Sequence, residues 1–180
     1  FDFLNNFQIQ ETYHWQKKLL CPLNNLSFYS DLRDRESPNI RNFILGRDEE
    51  KYTNFYNQVL GKLGSIVDID FVKKIVSRSS FDPNGYFIAE KENEIVGFFA
   101  IEKEPWGEIQ NGFGYIYQIG VSDAWQGKGL AERLLWKGFK FADQNNINRI
   151  GVGVRGSNHS AIKFFKKHGF DCVYETKAYL

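Results

Sequence analysis

The stretch from Tyr115 to Ala142 restricts this chain more than any other. Tyr115–Val121 is aromatic and β-branched and predicts a strand, after which Gln126-Gly127-Lys128-Gly129 opens a helix whose Leu130, Leu134, Leu135, Gly138 and Ala142 share one stripe. Strand, glycine-bearing turn and helix in that order leave the first backbone N–H groups of the helix without intrahelical partners, at the positive end of its dipole. Glycine at 127 and 129 keeps side chains away from that backbone, and Lys128 and Arg133 add positive charge. The loop Gln126–Ala131 therefore reads as a cradle for a diphosphate or similar anion.

The charge pattern agrees. The net charge is +1, which argues against a bulk nucleic-acid binder, but the charges are unevenly placed. Residues 1–125 carry 13 Lys and Arg against 18 Asp and Glu, and residues 126–167 carry 9 against 2. A basic segment that begins at the glycine loop suits an anionic ligand there. Lys137, Lys140, Lys163, Lys166 and Lys167 fall on predicted helices and read as solvated faces, so no nucleic-acid partner is expected.

Ahead of the loop, Ile40–Leu45 reads as a short strand ended by Gly46. Asp48, Glu49 and Glu50 then place negative charge at the start of a helix with Tyr52, Phe55, Tyr56, Val59 and Leu60 on one face. Asp68 caps a second helix, with Phe71, Val72, Ile75 and Val76 as its apolar positions, and Ser77–Ser80 break it. Asp82-Pro83-Asn84-Gly85 signals a turn, followed by the strand Tyr86–Ala89, a Glu92-Asn93 reversal and the strand Ile95–Ile101. Beyond the loop come the strand Ile150–Val154, a helix from Asn158 to His168 and the strand Phe170–Leu180. The order is β-α-α-β-β-β-α-β-α-β, an α/β (α+β) arrangement. An additional N-terminal strand, Phe7–Trp15, alternates apolar and polar residues. It is either an unrelated strand or the remnant of a similar preceding domain, and in both cases Phe170–Leu180 is a candidate edge for it to pair with. The expected domains are an N-terminal extension, 1–38, and a single domain, 39–180.

These residues resemble the GNAT superfamily. Gln126-x-x-Gly129-x-Ala131 is similar to its Q/R-x-x-G-x-G/A motif, and Ile119-Gly120-Val121 to the strand whose backbone pairs with the pantetheine arm. Asn158, Ala161, Phe164, Phe165, Gly169 and Phe170 resemble its second motif. From Phe81-Asp82-Pro83 onward the chain is most similar to the C-terminal half of the mycothiol synthases, which are tandem members. The resemblance implies a mixed, twisted sheet flanked by helices, with Tyr115–Val121 and Ile150–Val154 splayed for the pantetheine. It also implies acetyl-CoA, or a related acyl-CoA, as co-substrate without a metal. The cofactor would be held by Ile119, Gly120, Val121, Gln126, Gly127, Lys128, Gly129, Leu130, Ala131, Asn158 and Phe165.

The same resemblance implies an N-acetyltransferase acting by direct attack of a primary amine, on a small molecule or a peptide. Two departures bear on mechanism. Family enzymes often place a glutamate near the start of the strand before the cradle and a tyrosine in the second motif; here those positions hold Tyr115 and Phe165, and Phe165 has no proton to give. Protons would move through water or through Tyr115, Tyr117, Glu102 or Glu108; the alternative is a silent acyl-CoA-binding module. Positioning alone supplies roughly 7–11 kcal/mol, so losing the acid weakens transfer without forbidding it. The acceptor pocket is expected between the two N-terminal helices and the loop Lys103–Gly114, with Phe55, Tyr56, Trp106 and Phe113 among its walls, and an acidic N-terminal part there would suit an amine.

Other signals carry less. Gly151-Val152-Gly153-Val154-Arg155-Gly156 fits a dinucleotide pattern, but its first glycines fall inside a predicted strand, where they make room for the cofactor arm. Cys21 and Cys172 read as ordinary thiols, and His14, His159 and His168 have no ligand spacing. No apolar run reaches the roughly 20 residues of a membrane helix and no leader pattern is evident, so the expectation is cytoplasmic, with no membrane partner and room for a homodimer.

Overall fold

The computed structural model describes residues 9–18, 37–63, 66–103 and 112–179. Cys21, Trp106, Glu108 and most of the expected 1–38 extension lie outside them. In chain order the elements are β1 (Ile9–Lys18), β2 (Asn39–Asn42), α1 (Glu49–Leu60), α2 (Ile69–Val76), β3 (Tyr86–Lys91), β4 (Glu94–Lys103), β5 (Phe113–Val121), α3 (Leu130–Gln144), β6 (Arg149–Arg155), α4 (His159–Lys167) and β7 (Asp171–Tyr179). The expected order is reproduced; β3, β4, β5 and β6 are longer than read, whereas β2 ends at Asn42, ahead of the expected Leu45.

The strands form one mixed sheet in the order β2-β3-β4-β5-β6-β1-β7. Neighbours are antiparallel except β5 and β6, which run parallel. The β3–β4 hairpin turns at Glu92 and Asn93, both in the left-handed region with φ 52° and 67°, as a two-residue turn matched to strand twist requires. The N-terminal strand does pair with β7, but it also pairs along the whole of β6, from Thr12↔Arg155 to Lys18↔Arg149. It is thus an interior strand and not an added edge.

Both faces of the sheet are apolar, because alternate residues of β3 and β4 serve different cores. Phe87, Ala89, Phe99 and Ile101 meet Leu134, Leu135, Phe139 and Ala142 of α3, together with Phe165 of α4 and Phe170. Tyr86, Ile88, Phe98 and Ala100 meet Tyr52, Phe55 and Tyr56 of α1 and Val72 and Ile75 of α2. Phe98 and Phe99 are both wholly buried, one on each face, and each such ring contributes about 1.5–3 kcal/mol. On the α3 face, a Cβ at Gly138 would stand 2.2 Å from Phe99 Cε1, so the glycine allows the helix to lie directly on that ring.

The start of α1 differs from the sequence reading. Asp48 is fully buried and makes no side-chain cap. It receives hydrogen bonds from Arg41 Nη1 at 2.6 Å, Arg41 Nη2 at 3.0 Å and the Ile44 N–H at 2.8 Å. Arg41 also donates through Nε to Glu90 at 3.0 Å. Strand β2 therefore brings a guanidinium over the helix start, and the Asp48 carboxylate answers that charge instead of the dipole alone.

Candidate active site

The site begins where β5 and β6 part. Their pairing runs from Phe113↔Arg149 to Ile116↔Val152 and stops there, while β5 stays paired with β4 as far as Val121↔Gly97. From Tyr117 onward, the main chain of β5 faces an opening on its β6 side. A register shift between Ala100 and Ile101 of β4 leaves Tyr117 as the extra residue of β5; such a bulge bends its strand and re-aims the side chain. Ile119 and Val121 turn into the α3 core, while Gly120 lies close under α1, where a Cβ would meet Phe98 Cε1 at 2.9 Å and Val59 Cγ1 at 3.1 Å.

Beyond β5 the chain makes a short 3-10 turn, Asp123–Trp125, and reaches the glycine loop. Gly127 and Gly129 have φ of 71° and 76°, and a Cβ at either would meet nothing within 4 Å. Side chains are thus excluded there by backbone conformation and not by crowding. Gly129 is the N-cap of α3 and offers no side-chain cap, so the leading N–H groups of a 15-residue helix open outward. The Gln126 amide donates to Val121 O at 3.3 Å and to Asp123 Oδ1 at 3.1 Å, pinning the loop to the end of β5. Lys128 Nζ rests 5.0 Å from the centroid of the Trp125 ring. Arg133 is drawn off differently from expectation, donating to Pro38 O at 3.2 Å, and burial lowers its guanidinium pKa. The Leu130 side chain is in the core.

On the opposite face, under α1 and α2, aromatic and polar groups crowd the apex of the opening. The rings of Tyr115 and Tyr117 meet edge to face with centroids 5.3 Å apart. Arg78, in the turn after α2, places its guanidinium carbon 5.9 Å from the Tyr117 centroid. Glu102 is 1% exposed; Ser80 Oγ donates to it at 2.6 Å, and Tyr86 OH donates to its other oxygen. The Tyr117 phenol is pushed up to about 12, first by burial and then by the Glu102 carboxylate, with Arg78 pulling the other way. Burial also drives the Tyr86 and Tyr52 phenols far above their usual value. Tyr52 OH donates to the Gln118 side-chain oxygen. Tyr56 is raised by burial against the opposing pull of Arg155 and a hydrogen bond with Gln118, and Arg155 is the last residue of β6, across the opening from β5.

The structure thus gathers Tyr115, Tyr117 and Glu102 at one end of β5 and the residues from Ile119 to Ala131 at the other. Asn158 and Phe165 serve α4: the Asn158 side chain caps the helix by accepting from the Ala161 N–H at 3.1 Å. Phe165 is 1% exposed and packs against Phe164 and Phe170 with centroids 5.3 and 5.1 Å away. Gly151 makes room for a side chain rather than for a cofactor arm, since a Cβ there would meet Phe113 Cζ at 2.7 Å. Phe55 of the expected acceptor walls is core. Sequence reasoning missed Arg78, Tyr86, Ser80, Tyr52 and Gln118. Only Gln118 carried a signal, as the one amide within an aromatic and β-branched run.

Comparison with known proteins places this arrangement. Among curated relatives, the mycothiol acetyltransferase of Amycolatopsis mediterranei is 28% identical over 142 residues, which is 76% of this chain and 47% of that protein. The mycothiol acetyltransferase of Saccharomonospora viridis is 29% identical over 144 residues, 77% of this chain and 47% of that protein. The chain spans about half the length of the curated relatives it matches, and the matched stretch is the size of their C-terminal half. Among solved structures, a GCN5-related N-acetyltransferase from Sphaerobacter thermophilus shares the fold with a TM-score of 0.72 at 17% identity, covering 96% of this chain and 53% of that one. The ribosomal-protein-S18-alanine N-acetyltransferase of Escherichia coli gives 0.61 at 14% identity, over 76% and 79%. The profile described as the acetyltransferase (GNAT) family matches residues 28–170, and with the splayed strands and the open helix start already in view, the chain belongs to that family.

Proposed function

We propose that this chain is an N-acetyltransferase domain, formed by residues 39–180 with β1 completing its sheet, which takes the acetyl group of acetyl-CoA to a primary amine on a small molecule or peptide. The observation that carries the reading is the unpaired β6-side edge of β5 leading straight to an uncapped helix start. The donors fit the group: the leading N–H groups of α3, opened by Gly127 and Gly129, suit a diphosphate, and the main chain of β5 from Tyr117 to Val121 suits an amide-bearing arm. Acetyl-CoA supplies the acetyl group already activated as a thioester. Lys128 supplies positive charge at the loop, and the β5 backbone holds the chain of the cofactor in line with the apex.

The amine approaches from the α1 and α2 face, where Tyr115, Tyr117 and Glu102 stand. At neutral pH the Tyr117 phenol keeps its proton, so it serves as a donor to a leaving group and not as a resting base. The amine must therefore arrive uncharged or lose its proton to water, and the rate rises with pH toward the pKa of the acceptor. No helix among the described residues is long and apolar enough to cross a membrane.

The test is calorimetric titration with acetyl-CoA together with release of free CoA thiol over a panel of primary amines. Gly129→Val should leave the far-ultraviolet spectrum native while weakening acetyl-CoA at least tenfold, because a β-branched residue at φ 76° costs about 1–2 kcal/mol locally and projects into the cradle. Binding without thiol release from any amine would leave a silent acyl-CoA-binding module, and unchanged affinity in Gly129→Val would move the cofactor elsewhere.

A further inference from the structure

Among the described residues, the acids of α2 and of the turn before β3 are engaged locally. Asp68 accepts from the Phe71 N–H at 2.8 Å as the cap of α2, and Asp82 accepts from the Asn84 N–H at 2.8 Å as the cap of the next turn. Asp70 pairs with Lys73 at 3.4 Å. Glu102 is buried beneath two hydroxyls. Among the described residues, the exposed charge beside Tyr117 is cationic. Arg78 is exposed, stacks over the ring of Tyr117 and has no ion pair with any described residue, while Arg155 acts on Tyr56 from the far bank. A guanidinium laid on an aromatic face is pre-oriented and weakly hydrated, and it presents its edge donors to a planar or tetrahedral oxyanion.

Building on the acetyltransferase reading above, we infer that the acceptor is an amine that also carries an oxyanion, a carboxylate or a phosphate, and that Arg78 selects it. Tyr117 sits at the bulge where β5 leaves β6, so an anion on Arg78 is held beside the point where the β5 backbone would present the thioester. The acceptor's nitrogen is then delivered by an anchor on its own molecule, a few bonds away. Arg78 also disfavours a second ammonium beside it, so polyamines are poor acceptors.

Matched probes test this without knowledge of the natural acceptor: β-alanine against β-alaninamide for a carboxylate, and O-phosphoethanolamine against ethanolamine for a phosphate. Binding is followed by NMR titration of the chain with and without CoA, and transfer by thiol release. The expected result is that at least one anionic probe binds five- to twentyfold tighter than its neutral partner. Arg78→Gln should remove that advantage while leaving the neutral probe unchanged, and Arg78→Lys should restore part of it. Equal binding of both members of each pair, or an anionic advantage that survives Arg78→Gln, overturns the inference. The acetyltransferase reading fails separately: an anionic preference that depends on Arg78 but no thiol release with any probe would keep the anchor and reject the transfer.

Discussion

Asp48 shows how a single residue can be read correctly as a helix-start acid and still be assigned the wrong partner. Its burial alone would raise the carboxyl pKa, but Arg41, the Ile44 N–H and Arg47 reverse that and hold it below the usual carboxylate range. Asp48→Ala removes the buried partner of the Ile44 N–H and one of the two carboxylates on Arg41, which keeps Glu90, and should lower unfolding free energy by about 1–3 kcal/mol in urea titration. The native pKa lies below the unfolded value of about 3.9, so the stabilisation is complete above that pH and is lost as pH falls through the native value. Acid unfolding of the wild type should therefore be steeper than that of Asp48→Asn. Nothing in the string Arg47-Asp48-Glu49-Glu50 announces the pair, because the partner is delivered by β2 lying on β3, a tertiary event. Gly127 and Gly129 are a mixed case: the helix they open was legible from local chemistry, but their left-handed backbone was not, since the glycines read as space for an anion.

Elements were legible wherever one period dominated. The α3 stripe, the two N-terminal helices and the β3–β4 hairpin follow from apolar spacing and from turn residues that tolerate positive φ. The bulge at Tyr117 was not, since a run of aromatic and β-branched residues reads the same with or without one extra residue. Nor was the closeness of α3 to the sheet, which depends on Gly138 meeting Phe99 across elements. Gly138→Ala gains helix propensity yet must displace that ring, and it should cost about 1–3 kcal/mol, measured as a lower urea midpoint with an unchanged m-value. The neighbours of β1 were half legible: pairing with β7 follows from two matching apolar strands, but pairing with β6 needs a gap in the sheet that no sequence pattern shows. Deleting residues 1–18 bares the facing edges of β6 and β7 and should abolish amide protection in β7, read by hydrogen exchange, well before α1 or α3 loosens.

For the molecule as a whole, the opening between β5 and β6 is a place where the sheet's hydrogen bonding is left unfinished. A ligand that bridges it by main-chain contacts and also neutralises the α3 start ties together two halves of the sheet. At a hundredfold excess over Kd, acetyl-CoA should stabilise the fold by about 2.7 kcal/mol, a rise of roughly 5–11 °C in Tm by calorimetry. Desulfo-CoA should give most of that rise, and adenine alone little of it. The position of β1 has its own consequence for how the chain is made. Among the described strands β7 pairs only with β1, and β1 pairs with β6 and β7, both far from it in sequence, so neither β1 nor β7 has its neighbours until the rest of the sheet is in place. The seam joins strands from distant parts of the sequence, and its closure is the step most exposed to loop entropy and to a stray strand from another copy.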